Sequence, residues 1–216
     1  LKFVDHRKQV LQLRTRLVSS VYCQDAVINR FFAIYNSIMD GKLAGQEAAL
    51  LQCLKELQCN EADTVLHFFP VLLNQLMTLL CAVPPAVAPH ALSAFVRICK
   101  VVTDLGGTLA TPCHEARSRL LGTYIHYQFN PKPRGHVEMK YQPFEVIVST
   151  INVIRQAHQQ LLPEIYKFSW VLFDLAIKSM ALHLNDAKML DDNLNRPARF
   201  PPAFVEEVHK LVTGVA

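Results

Sequence analysis

Residues Phe168–Leu184, FSWVLFDLAIKSMALHL, constrain the fold of this chain more than any other stretch. They hold the only tryptophan, Trp170, and are apolar at nearly every position. A helix that is apolar almost all round belongs inside a larger helical assembly. Asp174 and Lys178 stand four apart with the acid first, the favourable order for a pair along one helix. The spacing therefore predicts a central, buried helix with one narrow polar edge, tied along its own length.

The rest of the chain agrees with a helical reading. Of 216 residues, 51% are hydrophobic and 19% charged, too apolar for a disordered state, and only 7 are glycine. The net charge of +4 supports no more than a mild preference for anions, and no Lys/Arg run is dense enough to track nucleic acid. The six cysteines, Cys23, Cys53, Cys59, Cys81, Cys99 and Cys113, form no CxxC pair and sit mostly in apolar helical contexts. They read as small hydrophobes in a reducing, cytoplasmic setting. Leu1–Arg16 is charged throughout, unlike a signal peptide. Val71–Val83 is too short for a membrane span and Ile165–Leu184 is broken by charges, which predicts a soluble chain. The first residue is Leu rather than Met, consistent with a segment of something longer.

In chain order, Val10–Val18 alternates apolar and polar residues as a strand does. It has no partner strand downstream, so its sheet is expected N-terminal to this chain. From Asp25, a helix N-cap, the period becomes helical: Val27, Ile28, Phe31, Phe32, Tyr35 and Ile38, stopped by Gly41. Further helices are expected at Gln46–Leu57, then from an Asn60 cap through Leu80 with a bend at Pro70, then after Pro89 to Leu105 with Gly106-Gly107 ending it. A fifth opens at Thr111-Pro112 and continues through Leu120, Leu121, Tyr124 and Ile125. Asn130–Gln142 reads as a loop, Phe144–Gln160 as a sixth helix, and Ile165–Leu184 as a seventh, set apart by Pro163. A polar connector, Asn185–Arg199, precedes a last helix, Ala203–Val212. Helices of this length with short Pro or Gly breaks and no strict period predict an all-α chain. Its architecture would be an armadillo- or HEAT-like α-solenoid of antiparallel helix pairs.

Chemistry-bearing patterns are scarce. Nine histidines include no HExxH and no zinc-finger pairing with cysteine, and Cys113-His114 are neighbours that point apart on a helix. GxSxG, GxGxxG and GxxxxGK[ST] are absent. No catalytic, cofactor-binding or metal-binding residue is assigned, and no cofactor is implied. The densest basic patch, Lys132, Arg134, His136 and Lys140 with Tyr141, is a solvated loop or a contact for a phosphoinositide headgroup, an acidic partner or a neighbouring domain. Of the pairs Phe31-Phe32 and Phe68-Phe69, one ring each is a candidate anchor for a partner; otherwise all four are core.

Three stretches, in order along the chain, resemble the dedicator-of-cytokinesis (DOCK) family of Rho-GTPase exchange factors, its zizimin branch above all. KFVDHRKQVLQLRTRLVSSVYCQDAVINRFF (Lys2–Phe32) is similar to the strand and helix that leave the family's lipid-binding β-sandwich. LHFFPVLLNQLMTLL (Leu66–Leu80) is similar to an FLP-x-LNQL stretch. SWVLFDLAIKSMALHL, followed by RFPPAFVEEVHKLV, is similar to SWFFFD-x-x-IKSMA-x-HL and its continuation. Val171 and Leu172 replace aromatics usual there, and Asn130–Lys140 matches poorly.

The resemblance implies a guanine nucleotide exchange factor for Rac- or Cdc-type GTPases, with its exchange domain C-terminal to this segment. Residues 1–24 would be the terminal strand and exit of the sandwich, and residues 25–216 an armadillo-like helical domain. The segment itself would be a non-catalytic scaffold between the membrane-docking and exchange modules. Its partners would be neighbouring domains, a Rho-family GTPase only through the parent's exchange domain, and a further protein or a second copy. Membrane contact would be peripheral, through the preceding domain. From the residues alone, a stand-alone solenoid adaptor that binds a peptide or helix stays open beside this reading.

Overall fold

A computed structural model describes residues 23–42, 45–57, 62–82, 86–109, 117–129, 152–153, 156, 162–186, 206 and 209. The strand expected at residues 10–18, the basic loop at 132–141 and most of the expected helices at 144–160 and 203–212 lie outside these residues.

The first helix, α1 (Ala26–Met39), begins and ends as its sequence dictates. The Asp25 carboxylate accepts from the backbone N–H groups of Val27 and Ile28 at 2.8 and 2.9 Å, satisfying two donors that the first turn leaves open. At the other end Gly41 takes φ +80°. Its N–H donates to the Ile38 carbonyl, and the Lys42 N–H donates to that of Ser37. That pair of bonds is a Schellman closure, which needs the left-handed conformation that glycine adopts at no steric cost. Between the caps, Ile28, Phe31, Ile34, Tyr35, Ile38 and Met39 are buried.

Helix α2 (Glu47–Glu56) packs back on α1 through Leu50, Cys53 and Leu54. The pair is tied at its edge by Arg30 and Glu56, 2.9 Å apart and largely in water, a contact of small energetic value. Helices α3 (Ala62–Ala82) and α4 (Ala88–Leu109) form the most extensive packing pair. Only residues 83–87 connect them, so helices of this length can pack along each other only antiparallel. α3 buries Val65, Phe68, Phe69, Leu72, Leu73, Leu76, Met77, Leu79 and Leu80, more than one face. Its Asp63–Leu80 stretch is long and apolar enough to resemble a membrane span, yet more than half of it is buried inside the protein. Pro70 is accommodated inside the helix. Among the described residues this pair is the most extensively packed.

Several boundaries differ from the sequence-based expectation. α4 runs through Gly106-Gly107 to Leu109, although two glycines cost roughly 2 kcal/mol of helix propensity. The start expected at Thr111-Pro112 lies outside the described residues; residues 117 and 118 are not helical, so the expected helix is not continuous there, and α5 (Arg119–Thr123) follows them. It continues without a break into a π-helical turn, Tyr124–Gln128. Helix α6 (Leu162–Asp186) starts before Pro163 rather than after it. Proline fits the first turn because its missing N–H would have had no helical partner there. The same helix includes residues 185 and 186, expected in the connector. Asn152, Val153, Gln156, Glu206 and His209 are helical where described. Among the described residues no strand occurs, and the architecture is all-α.

Candidate functional site at the π-helical turn

Polar groups converge at one place in the described structure, the turn Tyr124–Gln128 and the elements around it. A π turn carries one residue more than an α turn, so its closing bond spans five residues. Here the Phe129 N–H donates to the Tyr124 carbonyl at 2.8 Å. Such turns persist only when their surroundings hold them, and here α3 and α6 do so from two sides.

From α3, Asn74 grips both ends of the turn. Its amide nitrogen donates to the Gln128 carbonyl at 3.1 Å, and its side-chain oxygen accepts from the Tyr124 hydroxyl at 3.1 Å. The Tyr124 ring is completely buried and sits edge-on to Phe69 and Phe129, with centroids 6.0 and 6.1 Å away. Burial pushes the phenol well above its ordinary range, with the nearby Cys99 adding to the shift. Tyr124 is thus a neutral hydrogen-bond donor.

From α6, Lys178 reaches the same turn. Its ammonium donates to the carbonyls of Ile125 and His126 and lies 5.9 Å from the Phe129 ring centroid. Partial burial lowers its pKa from the ordinary lysine value. Asp174, one turn earlier on α6, pairs with Arg117 at 3.8 Å, and the Arg117 guanidinium stacks 5.2 Å over Trp170. The expected tie between Asp174 and Lys178 is therefore replaced by two ties that leave the helix. A cation at position 178 does more good on carbonyls turned away from their usual α-helical donors than on an exposed carboxylate.

The other residues singled out by sequence do not assemble a reactive site. Cys23, Cys53 and Cys99 are buried and form no disulfide; burial raises the Cys53 thiol from 9.0 to about 11 and pushes the Cys99 thiol up further. The Cys53 and Cys99 thiols therefore stay protonated and are poor nucleophiles. Among the described residues no three His, Cys, Asp or Glu side chains are grouped to hold a metal. Phe31, Phe68 and Phe69 are buried, and Phe32 is half-buried with its ring edge-on to Phe68, so none of these four is a free anchor. The exposed large side chains are others, led by Tyr127 at 85%. On α6, Tyr166, Phe173 and Ile177 are also exposed, so this helix is not apolar inward all round. Sequence reasoning missed them because an apolar residue on a mostly apolar helix looks like core whichever way it faces.

Chemically, the junction offers hydrogen bonds and packing. The Lys178 amine is engaged by two carbonyls and the buried Tyr124 phenol by the Asn74 amide, so the junction joins α3, α6 and the π turn into one unit.

Comparison with known proteins gives this unit its context. The family model described as the DOCK6-11 TPR domain matches residues 54–216. Dedicator of cytokinesis protein 9 from Homo sapiens is 31% identical over 216 residues, covering 98% of this chain and 10% of that protein. Dedicator of cytokinesis protein 11 from Danio rerio is 26% identical over 218 residues, with 100% and 10% covered. Guanine nucleotide exchange factor SPIKE 1 from Arabidopsis thaliana is 24% identical over 210 residues, with 96% and 11% covered. The chain thus spans about a tenth of the length of the curated relatives it matches. No solved structure matches it. The all-helical fold, the family-model match over most of the chain and the likeness to dedicators 9 and 11 agree that this chain belongs to the DOCK family, as a DOCK6-11 TPR domain of the zizimin-like branch.

Proposed function

We propose that this chain is the non-catalytic helical connector of a DOCK-type guanine nucleotide exchange factor for Rac- or Cdc-type GTPases. In this reading residues 1–24 end a lipid-binding β-sandwich, and residues 25–216 are a solenoid of antiparallel helix pairs. The exchange domain follows, and the parent is cytoplasmic and recruited to membranes peripherally. The connector fixes the distance and angle between the two modules, as coupled helices can and a flexible linker cannot.

The observation that carries this is the double grip on the π turn. Asn74 and Lys178, over a hundred residues apart in sequence, both hold the same turn. That arrangement resists shear between α3 and α6, and the Asn74, Tyr124 and Lys178 polar groups are already engaged. The names of the relatives supply the activity: SPIKE 1 is named a guanine nucleotide exchange factor.

Nucleotide release from Rac- and Cdc-type GTPases, followed with a fluorescent guanine nucleotide, tests the assignment. The 216-residue chain is expected to leave the release rate unchanged. Acceleration by the chain alone would place catalysis inside it and overturn the connector reading.

A further inference from the structure

The hydrogen bonds of the π turn record an exchange of partners. In an α turn the Phe129 N–H would donate to the Ile125 carbonyl, four residues back. It donates instead to the Tyr124 carbonyl, five residues back, at 2.8 Å. The Ile125 carbonyl that it gives up accepts from the Lys178 ammonium, and the His126 carbonyl accepts from the same ammonium at 2.7 Å. A side chain of α6 thus fills the place in the backbone ladder that one more α-helical bond would take.

The two registers differ in what they bury and what they pair. In the π register Phe129 is 5% exposed and its ring stands edge-on to Tyr124, with centroids 6.1 Å apart. In an α turn residues four apart share a face, so Gln128 rather than Phe129 would lie over Tyr124. Gln128 is exposed in the π register, and its carbonyl is the one that Asn74 holds. Burial of Phe129 therefore favours π. Against it stands the Ile125 carbonyl, which a π turn takes out of the ladder beside a buried side chain. A backbone acceptor left unpaired in such a place is costly. Lys178 removes that cost, because an ammonium carries three donors and two of them go to these carbonyls.

We propose that the Lys178 ammonium sets the register of this turn and makes it a two-state joint. With the ammonium in place the turn is π. With its charge removed or drawn away, the Phe129 N–H passes to the Ile125 carbonyl and the turn closes as α. Losing the extra residue rotates the exit of the chain at Phe129 by about 100° and moves it by about 1.5 Å along the axis. The turn follows α5, which packs on α4, and is held by α6, so the step would re-aim one part of the helical array against the other. The array then has two defined geometries rather than a continuous bend. This switch does not depend on which modules flank the chain.

Scalar couplings across hydrogen bonds, measured by nuclear magnetic resonance on the isotope-labelled 216-residue chain, identify the partner directly. In the unsubstituted chain the Phe129 amide nitrogen is expected to couple to the Tyr124 carbonyl carbon. In Lys178→Met, and in the milder Lys178→Gln, that coupling is expected to vanish and one to the Ile125 carbonyl carbon to appear. Ring-to-ring Overhauser signals between Phe129 and Tyr124 should be lost with it. Asp174→Asn, which removes a charge from the same helix without touching the turn, is expected to keep the Tyr124 coupling. A Tyr124 coupling that persists in a folded Lys178 variant would overturn Lys178 as the selector. So would a move to Ile125 in Asp174→Asn, because general loosening rather than this amine would then set the register. Failure of both Lys178 variants to fold would also overturn it, since a register change leaves the packing of α3 on α4 intact.

Discussion

The Lys178 ammonium donates to the His126 carbonyl at 2.7 Å across 52 residues of sequence, and to the Ile125 carbonyl beside it. Asp174 is absent from this contact although it lies one turn away on the same helix, because it faces Arg117 instead. The polar edge of α6 is thus two outward ties, of unequal value.

Lys178→Met should cost about 1–3 kcal/mol, since it removes two charge-assisted bonds and leaves carbonyls of the π turn unpaired. Asp174→Asn should cost less than about 0.5 kcal/mol, because its partner is half in water at 3.8 Å. Urea unfolding of both variants and of the double variant checks this. The coupling between the two sites should be close to zero, whereas a pair within the helix would give a clear coupling.

Asp25→Ala should destabilise the chain by about 1 kcal/mol, because two N–H groups at the start of α1 lose their acceptor. Asp25→Ser should restore most of the loss. An equal loss in both variants would show that the carboxylate acts through charge rather than as a cap.

These two sites mark what was legible in the sequence. A cap such as Asp25 and a stop such as Gly41 act on the backbone within a few residues, so local chemistry decides them. The α3 core was equally legible through its helical spacing. The π turn was not, because nothing in YIHYQ itself favours an extra residue per turn. Asn74 and Lys178 select it from 50 or more residues away. Gly106-Gly107 misled because glycine is only a weak local stop, which a helix 22 residues long can run through. The exposed apolar side chains on α6 were hidden in plain view. Tyr166, Phe173 and Ile177 have the composition of core residues, and only the placement of neighbouring helices shows which face is left over.

Ser179 is fully buried, and its hydroxyl finds no hydrogen-bond partner among the described residues. Ser179→Ala is therefore expected to leave stability unchanged or raise it by up to about 1 kcal/mol, since the desolvated hydroxyl is removed with little volume. A loss above about 1.5 kcal/mol in a calorimetric or denaturant measurement would show that the hydroxyl is satisfied after all.

Stability should fall as pH rises above about 9. Burial raises the Cys53 thiol from 9.0 to about 11, and it raises the Cys99 thiol and the Tyr124 phenol as well. Above the ordinary thiol pKa the unfolded chain loses protons that the folded chain keeps. The folded state then binds more protons, and its advantage declines through the raised pKa values. Lys178 acts in the opposite sense, because its lowered pKa lets stability rise with pH below the ordinary lysine value of 10.5. Two thiols and a phenol outweigh one partly buried amine, so the midpoint of thermal unfolding under reducing conditions should be lower at pH 10 than at pH 8. A flat or rising midpoint would contradict the burial of these groups.

The most direct test of the connector is a distance. Spin labels placed in the modules on either side of this segment, in a protein that carries both, report their separation by pulsed electron resonance. A rigid helical connector predicts one narrow distance distribution, broadened by joint Lys178→Met and Asn74→Ala substitution that frees the π turn. A distribution already as broad as that given by a Gly/Ser linker in place of residues 25–186 would contradict it.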